Sequence, residues 1–274
     1  MSSQDSPLHP IDDAVALEPA GDGRVRGRTV DAWANMVGPF GGTTAATMLQ
    51  AVLQHPDRLG DPLSLTVNFA GPVAYGGFDI AVRPVRTNRS SQHWSLEMTQ
   101  DDQVVTTATV VTGKRRETWS GTEARLPDVP APEDLETSED FRGVKWVENY
   151  DIRFVEGAVP DQSSEEGAAE STTTMWVRDL PDRPLDHVSL TALCDTFFPR
   201  SFLRVGRAIP AGTVTLSLYF LATAEEIAAQ GAGFLLGRDH AHRFHGNYHD
   251  ATARMWGRDG TLLAMSHQLA YFKA

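Results

Sequence analysis

GPFGGTTAATMLQAVLQH, residues 38–55, followed after a short gap by LSLTVNF, residues 63–69, decides how this chain is read. The opening five residues hold Pro39 and the glycines Gly38, Gly41 and Gly42, a composition that suits a turn and no regular element. Ala45, Met48, Leu49 and Val52 then recur at helical spacing, which predicts one helix over 42–55. Residues 63–69, 78–87, 93–100 and 104–112 are rich in β-branched and aromatic side chains and are separated by Gly, Pro, Asn and Asp, so four antiparallel strands follow. Upstream, residues 14–17 and 25–29 flank Gly21-Asp22-Gly23 and predict two short strands. Two strands, a helix and four strands without a further helix make an α+β unit, one sheet with a helix on its face.

The plan recurs. Residues 144–154 and 171–177 are strand-like, 189–198 is helical, and 213–220, 233–238, 251–256 and 262–272 are strands. Repetition at about half the chain length predicts duplication. Between the halves, residues 118–140 are acidic, contain Pro127, Pro130 and Pro132, and read as a connector. The expected organisation is an N-terminal domain over 1–118, a Pro-rich acidic connector over 119–142 and a C-terminal domain over 143–274. The polar, small-residue loop 160–170 is expected to be mobile.

With 274 residues, 41% of them hydrophobic, the chain is long enough for two domains of ordinary size or for one large one, and can bury a sizeable core. Residues 1–5 show neither a basic nor an apolar leader, and no uncharged apolar run reaches bilayer-spanning length, so a soluble, unexported protein with no membrane partner is expected. The single cysteine, Cys194, excludes an internal disulfide and a cysteine-based zinc site, which fits the cytoplasm. Twenty-four Lys and Arg against thirty-six Asp and Glu, a net charge of −12, argue against nucleic acid as a partner. A phosphate-bearing ligand then needs local clusters of cations. Lys114-Arg115-Arg116 and Arg200, Arg204, Arg207 are two, and each also reads as solvated surface charge.

The second helical segment is apolar nearly all round, with Val188, Leu190, Ala192, Leu193, Cys194, Phe197 and Phe198, and Asp195 is its exception. An isolated buried carboxylate is costly and requires hydrogen-bond donors. Helix 42–55 has no acidic residue, so one chemical centre per chain is expected, in the second half. The plainer reading has Asp195 bridging a buried polar group without chemistry. His240, His242, His245 and His249 form the densest histidine cluster, but no nearby carboxylate pattern suits a metal. They read as loop or surface residues near a pocket mouth, and no metal is expected. Cys194 lies on the Leu190, Leu193, Phe197 stripe and reads as core. The aromatics Trp94, Tyr219, Phe220, Tyr271 and Phe272 read as core or interface. Neither a Gly-x-Ser-x-Gly elbow, a phosphate-binding loop nor a dinucleotide fingerprint occurs, so an α/β-hydrolase is disfavoured and no cofactor is expected.

Phe40-Gly41-Gly42 opening a small-residue helix, the stretch 65–72, Arg86-Thr87-Asn88-Arg89-Ser90, then 193–198, 213–220 and Ser266-His267-Gln268-Leu269-Ala270 together resemble acyl-CoA thioesterase II and related thioesterase-like double hotdog proteins. Each segment is short; their order and spacing carry the resemblance. It implies a tandem hotdog fold, each half an antiparallel sheet wrapped around one long helix, that hydrolyses a fatty acyl-CoA of medium to long chain and assembles as a homo-oligomer. In that family an Asp on the second long helix, a Thr or Ser on the next strand and a Gln on the last strand activate water. These positions fall on Asp195, Thr213 and Gln268, with Thr215 and Ser217 as alternatives because all three hydroxyls share one strand face at a period of two. Phe40, Gly41 and Gly42 are expected at the substrate, their backbone N–H groups facing the oxyanion, and Arg200 at the CoA moiety. Thr43 stands where bacterial members often carry Gln. Two other functions share the scaffold. A hotdog hydratase would need His five residues after its Asp, where this chain has Arg200. A non-catalytic protein that binds an acyl thioester needs no aligned triad.

Overall fold

The computed structural model describes residues 8–140, 143–161 and 166–273; the leader reading of residues 1–5 and the middle of loop 160–170 lie outside the described residues. The first half contains α1 (Pro10–Ala14), β1 (Glu18–Gly21), β2 (Arg24–Arg28), α2 (Gly41–Leu53), β3 (Asp61–Phe69), β4 (Gly77–Thr87), β5 (Ser91–Gln100) and β6 (Gln103–Gly113). The second contains β7 (Tyr150–Glu156), β8 (Thr173–Asp179), α3 (His187–Leu193), α4 (Arg200–Val205), β9 (Ala211–Phe220), α5 (Ala224–Ala228), β10 (Leu235–His240), β11 (Phe244–His245), β12 (Tyr248–Trp256) and β13 (Leu262–Phe272).

All the strands join one antiparallel sheet in the order β1-β2-β4-β5-β6-β3-β9-β13-β12-β10-β8-β7, with the short β11 paired to β12. Read outward from the central β3–β9 pair, the two halves have the same strand order, so each is one turn of the same plan. Apolar residues alternate along the strands, as Leu216, Leu218 and Phe220 do on β9, and bury one face of the sheet. Against that face lies α2, which is buried nearly all round; its Thr43 and Thr47 hydroxyls donate to the carbonyls of Phe40 and Thr43, both at 2.8 Å. Each large apolar side chain so buried stabilises the fold by about 1.5–3 kcal/mol. Helix α3 packs on α2 where glycine permits close approach: a Cβ at Gly42 would lie 2.8 Å from the Ala192 carbonyl oxygen.

Several elements differ from expectation. Residue 14 ends a helix and not a strand, and the first strand begins at Glu18. Residues 145–149 form a 3-10 turn before β7. The second helix is seven residues long and stops at Leu193, so Asp195 follows the helix and is not inside it. The cause is local. The Thr196 hydroxyl donates to the Leu193 carbonyl at 2.8 Å, and Phe198 precedes Pro199, which disfavours continued helix. The connector lies ordered across the opposite face of the second-half sheet, where Leu126, Val129 and Leu135 pack on Trp176, Phe234 and Leu236, and Trp176 donates to the Pro130 carbonyl at 2.9 Å.

Candidate active site

Asp195, Thr213 and Gln268 meet. The side-chain amide of Gln268 donates to Asp195 Oδ1 at 2.8 Å, and the Thr213 hydroxyl donates to Gln268 Oε1 at 2.9 Å. A β-bulge decides which hydroxyl takes part. Leu269 pairs with Thr215 but Ala270 pairs with Thr213, so Val214 is the extra residue and the alternation reverses there. Thr213 consequently turns to the face of Leu216 and Gln268. Ser217 stays on the other face, against Thr66 at 3.1 Å, and Thr215 is in phase with it. The period-of-two reading that put all three hydroxyls on one face fails at this bulge.

The carboxylate of Asp195 lies at the N-terminus of α2, contributed by the other half. The Gly42 N–H donates to it, and a Cβ at Gly41 would sit 2.9 Å from Asp195 Oδ2. Both glycines are therefore required for close approach, and the helix dipole favours the charge placed there. Asp195 is 8% exposed. Burial pushes its pKa up to about 7; the Gln268 amide and the Gly42 N–H oppose that rise, and the negative charge of Asp239 adds to it. The Gly42 N–H, expected at the oxyanion, is thus committed to Asp195. Phe40 is buried and stacks on Trp146 with ring centroids 4.2 Å apart.

This centre opens on a cavity of about 880 Å³, largely apolar, lined from both halves by residues that include Phe40, Gly41, Phe69, Asp195, Thr213 and Gln268. Arg200 also reaches this cavity, but not as a cation free for phosphate. It is fully buried: Nε lies 3.0 Å from Asp239 Oδ2 and donates to the Phe198 carbonyl, while Nη1 donates to Ser171 O at 3.2 Å and to Thr173 Oγ1 at 2.5 Å. Lys114, Arg115 and Arg116 are exposed, with Arg115 donating to the Phe220 carbonyl.

Two cavity residues escaped the sequence reading. Asp239 lies one residue beyond the strand expected over 233–238, yet it belongs to β10 and is in phase with inward-facing Leu235 and Gly237. His249, expected with its neighbours on a loop or surface near a pocket mouth, is buried on β12, whereas His242 and His245 are exposed. The detectable signal was a charge in the apolar phase of a strand. Cys194 is fully buried and burial raises its pKa, as a core thiol. Of the five aromatics, Trp94 and Phe220 are buried, and Tyr219 faces away from the core.

Comparison with known proteins places the chain by sequence and by fold. The family model for the acyl-CoA thioesterase C-terminal domain matches residues 123–272, and that for the acyl-CoA thioesterase N-terminal domain matches residues 29–113. A conserved hotdog-fold protein of unknown function from Alicyclobacillus acidocaldarius shares 49% identity over 98% of this chain and 99% of its own, with a TM-score of 0.92. At 18% identity the likeness is one of fold. A putative thioesterase II from Thermobifida fusca covers 98% of this chain and 99% of its own at TM-score 0.83, and an acyl-CoA thioesterase II from Mycobacterium marinum 96% and 98% at 0.75. No curated protein matches the sequence. The architecture is α+β of the hotdog type, a large antiparallel sheet with few helices. Among the described residues no helix is long and apolar enough to cross a membrane.

Proposed function

We propose that this chain, which belongs to the acyl-CoA thioesterase family, hydrolyses a fatty acyl-CoA to the free acid and CoA by general-base activation of water. The observation that supports this reading is the hydrogen-bonded chain from Thr213 through Gln268 to Asp195, set in the wall of an apolar cavity large enough for an acyl group. A carboxylate with a pKa near 7 is suited to take a proton at neutral pH.

Asp195 removes a proton from water while the oxygen attacks the thioester carbonyl. The Gln268 amide holds the carboxylate in place, and Thr213 fixes the Gln268 carbonyl so that its NH2 points at Asp195. The oxyanion is met by the N–H of Gly41, in the first turn of α2 and on the cavity wall, because the first amides of a helix have no partner within it. Collapse of the tetrahedral intermediate breaks the C–S bond and releases the CoA thiolate, which takes the proton from Asp195. Arg200, neutralised by Asp239, is left out of CoA recognition in this scheme. The accompanying proposals are two fused hotdog domains over 1–118 and 143–274 joined by the connector 119–142, a cytoplasmic location and a homo-oligomer.

Thiol release from acyl-CoAs of short to long chain, comparing wild type with Asp195→Asn, tests the reading. A drop in turnover of about 10²–10⁴-fold with the fold retained is expected. Binding without turnover in the wild type would favour the acyl-thioester-binding alternative. Turnover that survives the substitution removes Asp195 as the base.

A further inference from the structure

The sheet face turned away from the cavity carries a cluster of titratable groups that hydrolysis does not use. Side chains alternate along a strand, so with Asp239, His249 and Gln268 facing inward, His240 on β10, Asp250 on β12 and His267 on β13 face outward. The register sets His240 and His267 on either side of Thr252 in one row, and Asp250 lies two residues from that row. Along the sequence no carboxylate pattern accompanies His240 and His242; the fold brings Asp250 against them. Its Oδ1 accepts from the backbone N–H groups of His242 at 2.9 Å and Arg243 at 3.0 Å, and its Oδ2 lies 2.6 Å from His242 Nδ1 and 3.6 Å from His267 Nε2.

These bonds fix the protons. Burial works against the ionised form of Asp250, but the His242 ring and the two backbone N–H groups bring its pKa down to about 2, so the carboxylate can only accept. His242 therefore carries its proton on Nδ1 and presents a lone pair at Nε2. Nε2 of His240 stands 3.1 Å from that lone pair while the ring centroids are 4.5 Å apart, so the two rings converge on their Nε2 atoms. Partial burial lowers the His240 pKa, with the charges of His242 and Arg254 acting the same way, so that ring is neutral at neutral pH. Two nitrogens 3.1 Å apart, each about 2.0–2.1 Å from one ion, subtend about 95–100° at it, between the square-planar and tetrahedral angles. An Nδ1–H held by a carboxylate is the outer bond that ordinarily orients a metal-bound imidazole. The His242 side chain is 59% exposed, which gives an ion its entry.

We propose that His240 Nε2 and His242 Nε2 together bind one divalent transition-metal ion of the kind that favours imidazole, Cu²⁺, Ni²⁺ or Zn²⁺, with Asp250 orienting His242 and water filling the remaining positions. His240 then holds its own proton on Nδ1. Among the described residues no group of three or more His, Cys, Asp or Glu is arranged around one ion, so the protein supplies two ligands and the ion keeps open positions. Arg238 and Arg254 lie opposite each other one pair further along the same face, and their charge offsets that of Asp250. Binding therefore comes from the nitrogen lone pairs and not from a negative field, which leaves Mg²⁺ and Ca²⁺, with their preference for oxygen ligands, unbound. The site is independent of the hydrolysis reading.

The probes are Cu²⁺, Ni²⁺, Zn²⁺ and Mg²⁺ alone, titrated calorimetrically near neutral pH into the full chain after treatment with a chelator. One ion per chain is expected, Cu²⁺ the tightest, with no saturable binding of Mg²⁺. His240→Gln and His242→Gln each abolish saturable binding. Asp250→Asn weakens it about 10–100-fold, and His245→Gln, which alters an exposed histidine on β11, leaves it unchanged. Affinity falls as pH is lowered through the imidazole range, because protons compete for the same lone pairs. Electron paramagnetic resonance of the Cu²⁺ form reads coupling to two imidazole nitrogens in the wild type and to fewer in either glutamine variant at His240 or His242. A wild type that binds none of the three transition metals one to one overturns the proposal whether or not the variants fold. So does binding that survives His242→Gln in a protein with unchanged circular dichroism, or binding that Mg²⁺ matches.

Discussion

The two halves carry the same device with different side chains. On β3 a bulge falls between Pro62, which pairs with Thr112, and Ser64, and Val110 lies opposite Leu65. On β9 the bulge falls between Thr213 and Thr215, and Gln268 lies opposite Leu216. Pro62 and Val110 thus occupy the places of Thr213 and Gln268. Proline has no side-chain hydrogen bond to offer and valine has no polar atom at all, so the first half cannot hold a carboxylate there. What it supplies is the N-terminus of α2, whose Gly41 and Gly42 receive Asp195. The bulge is a property of the scaffold and aims a side chain inward in both halves; whether chemistry follows depends on which side chain is aimed. The hydrogen-bonded chain of Asp195, Gln268 and Thr213 is therefore held by both halves, and the matching positions of the first half carry no counterpart to it.

Making the second half resemble the first should break the comparison most severely. Gln268→Val is expected to lower kcat/KM by about 100-fold or more in a folded protein, because Asp195 loses the donor that orients it. Activity against pH comes next. With the Asp195 pKa at about 7, kcat/KM should rise about tenfold per pH unit up to that value and then level off. Stability has the opposite sign. The pKa is raised from 3.8 on folding, so the Asp195 contribution is present below about pH 4 and is lost as pH climbs through 7. Denaturant midpoints of wild type and Asp195→Asn across that window should converge at low pH and separate above it. Gly42→Ala tests the first half's contribution: its Cβ would meet Phe40 Cε1 at 2.4 Å and the Ala192 oxygen at 2.8 Å. Roughly tenfold lower kcat/KM is expected, since a small misplacement at a reacting centre is amplified in rate. The smallest effect on activity belongs to Val110→Ala. It should cost about 2 kcal/mol in unfolding experiments and leave kcat/KM within about twofold, as befits a counterpart that only packs. A large activity loss there would mean the first half hosts chemistry after all.

How much was legible depended on how far each signal travels along the chain. Asp195 stood out because a carboxylate in an apolar segment is costly wherever that segment packs. Helix α2 and the strands from β3 to β6 and β9, β10, β12 and β13 follow from periodicity, whereas the strand expected over 14–17 does not form there. The length of α3 did not, because Thr196 and the Phe198-Pro199 pair terminate it locally while the surrounding apolar residues stay buried outside the helix. Arg200 reads as a cation available to the CoA moiety; Asp239, thirty-nine residues on, together with Phe198 O, Ser171 O and Thr173 Oγ1 makes its burial tolerable. His249 was masked by neighbours of the same type. Nothing in the spacing of His240, His242, His245 and His249 separates the one that faces inward, since that depends on the register of β12 against β13 and β10.

The sequence by itself determined the α+β class, the repeated order of the strands and the lone carboxylate of the apolar stretch 188–198, because hydrophobic period, turn residues and the cost of burying charge act locally and are written in order. Only the tertiary structure decided which hydroxyl meets Gln268, that Gly42 holds Asp195 across the two halves, and that Arg200, Asp239 and His249 share one cavity. A single extra residue in a strand reverses which face its side chains take, and contacts between distant segments depend on register and packing that no local pattern encodes.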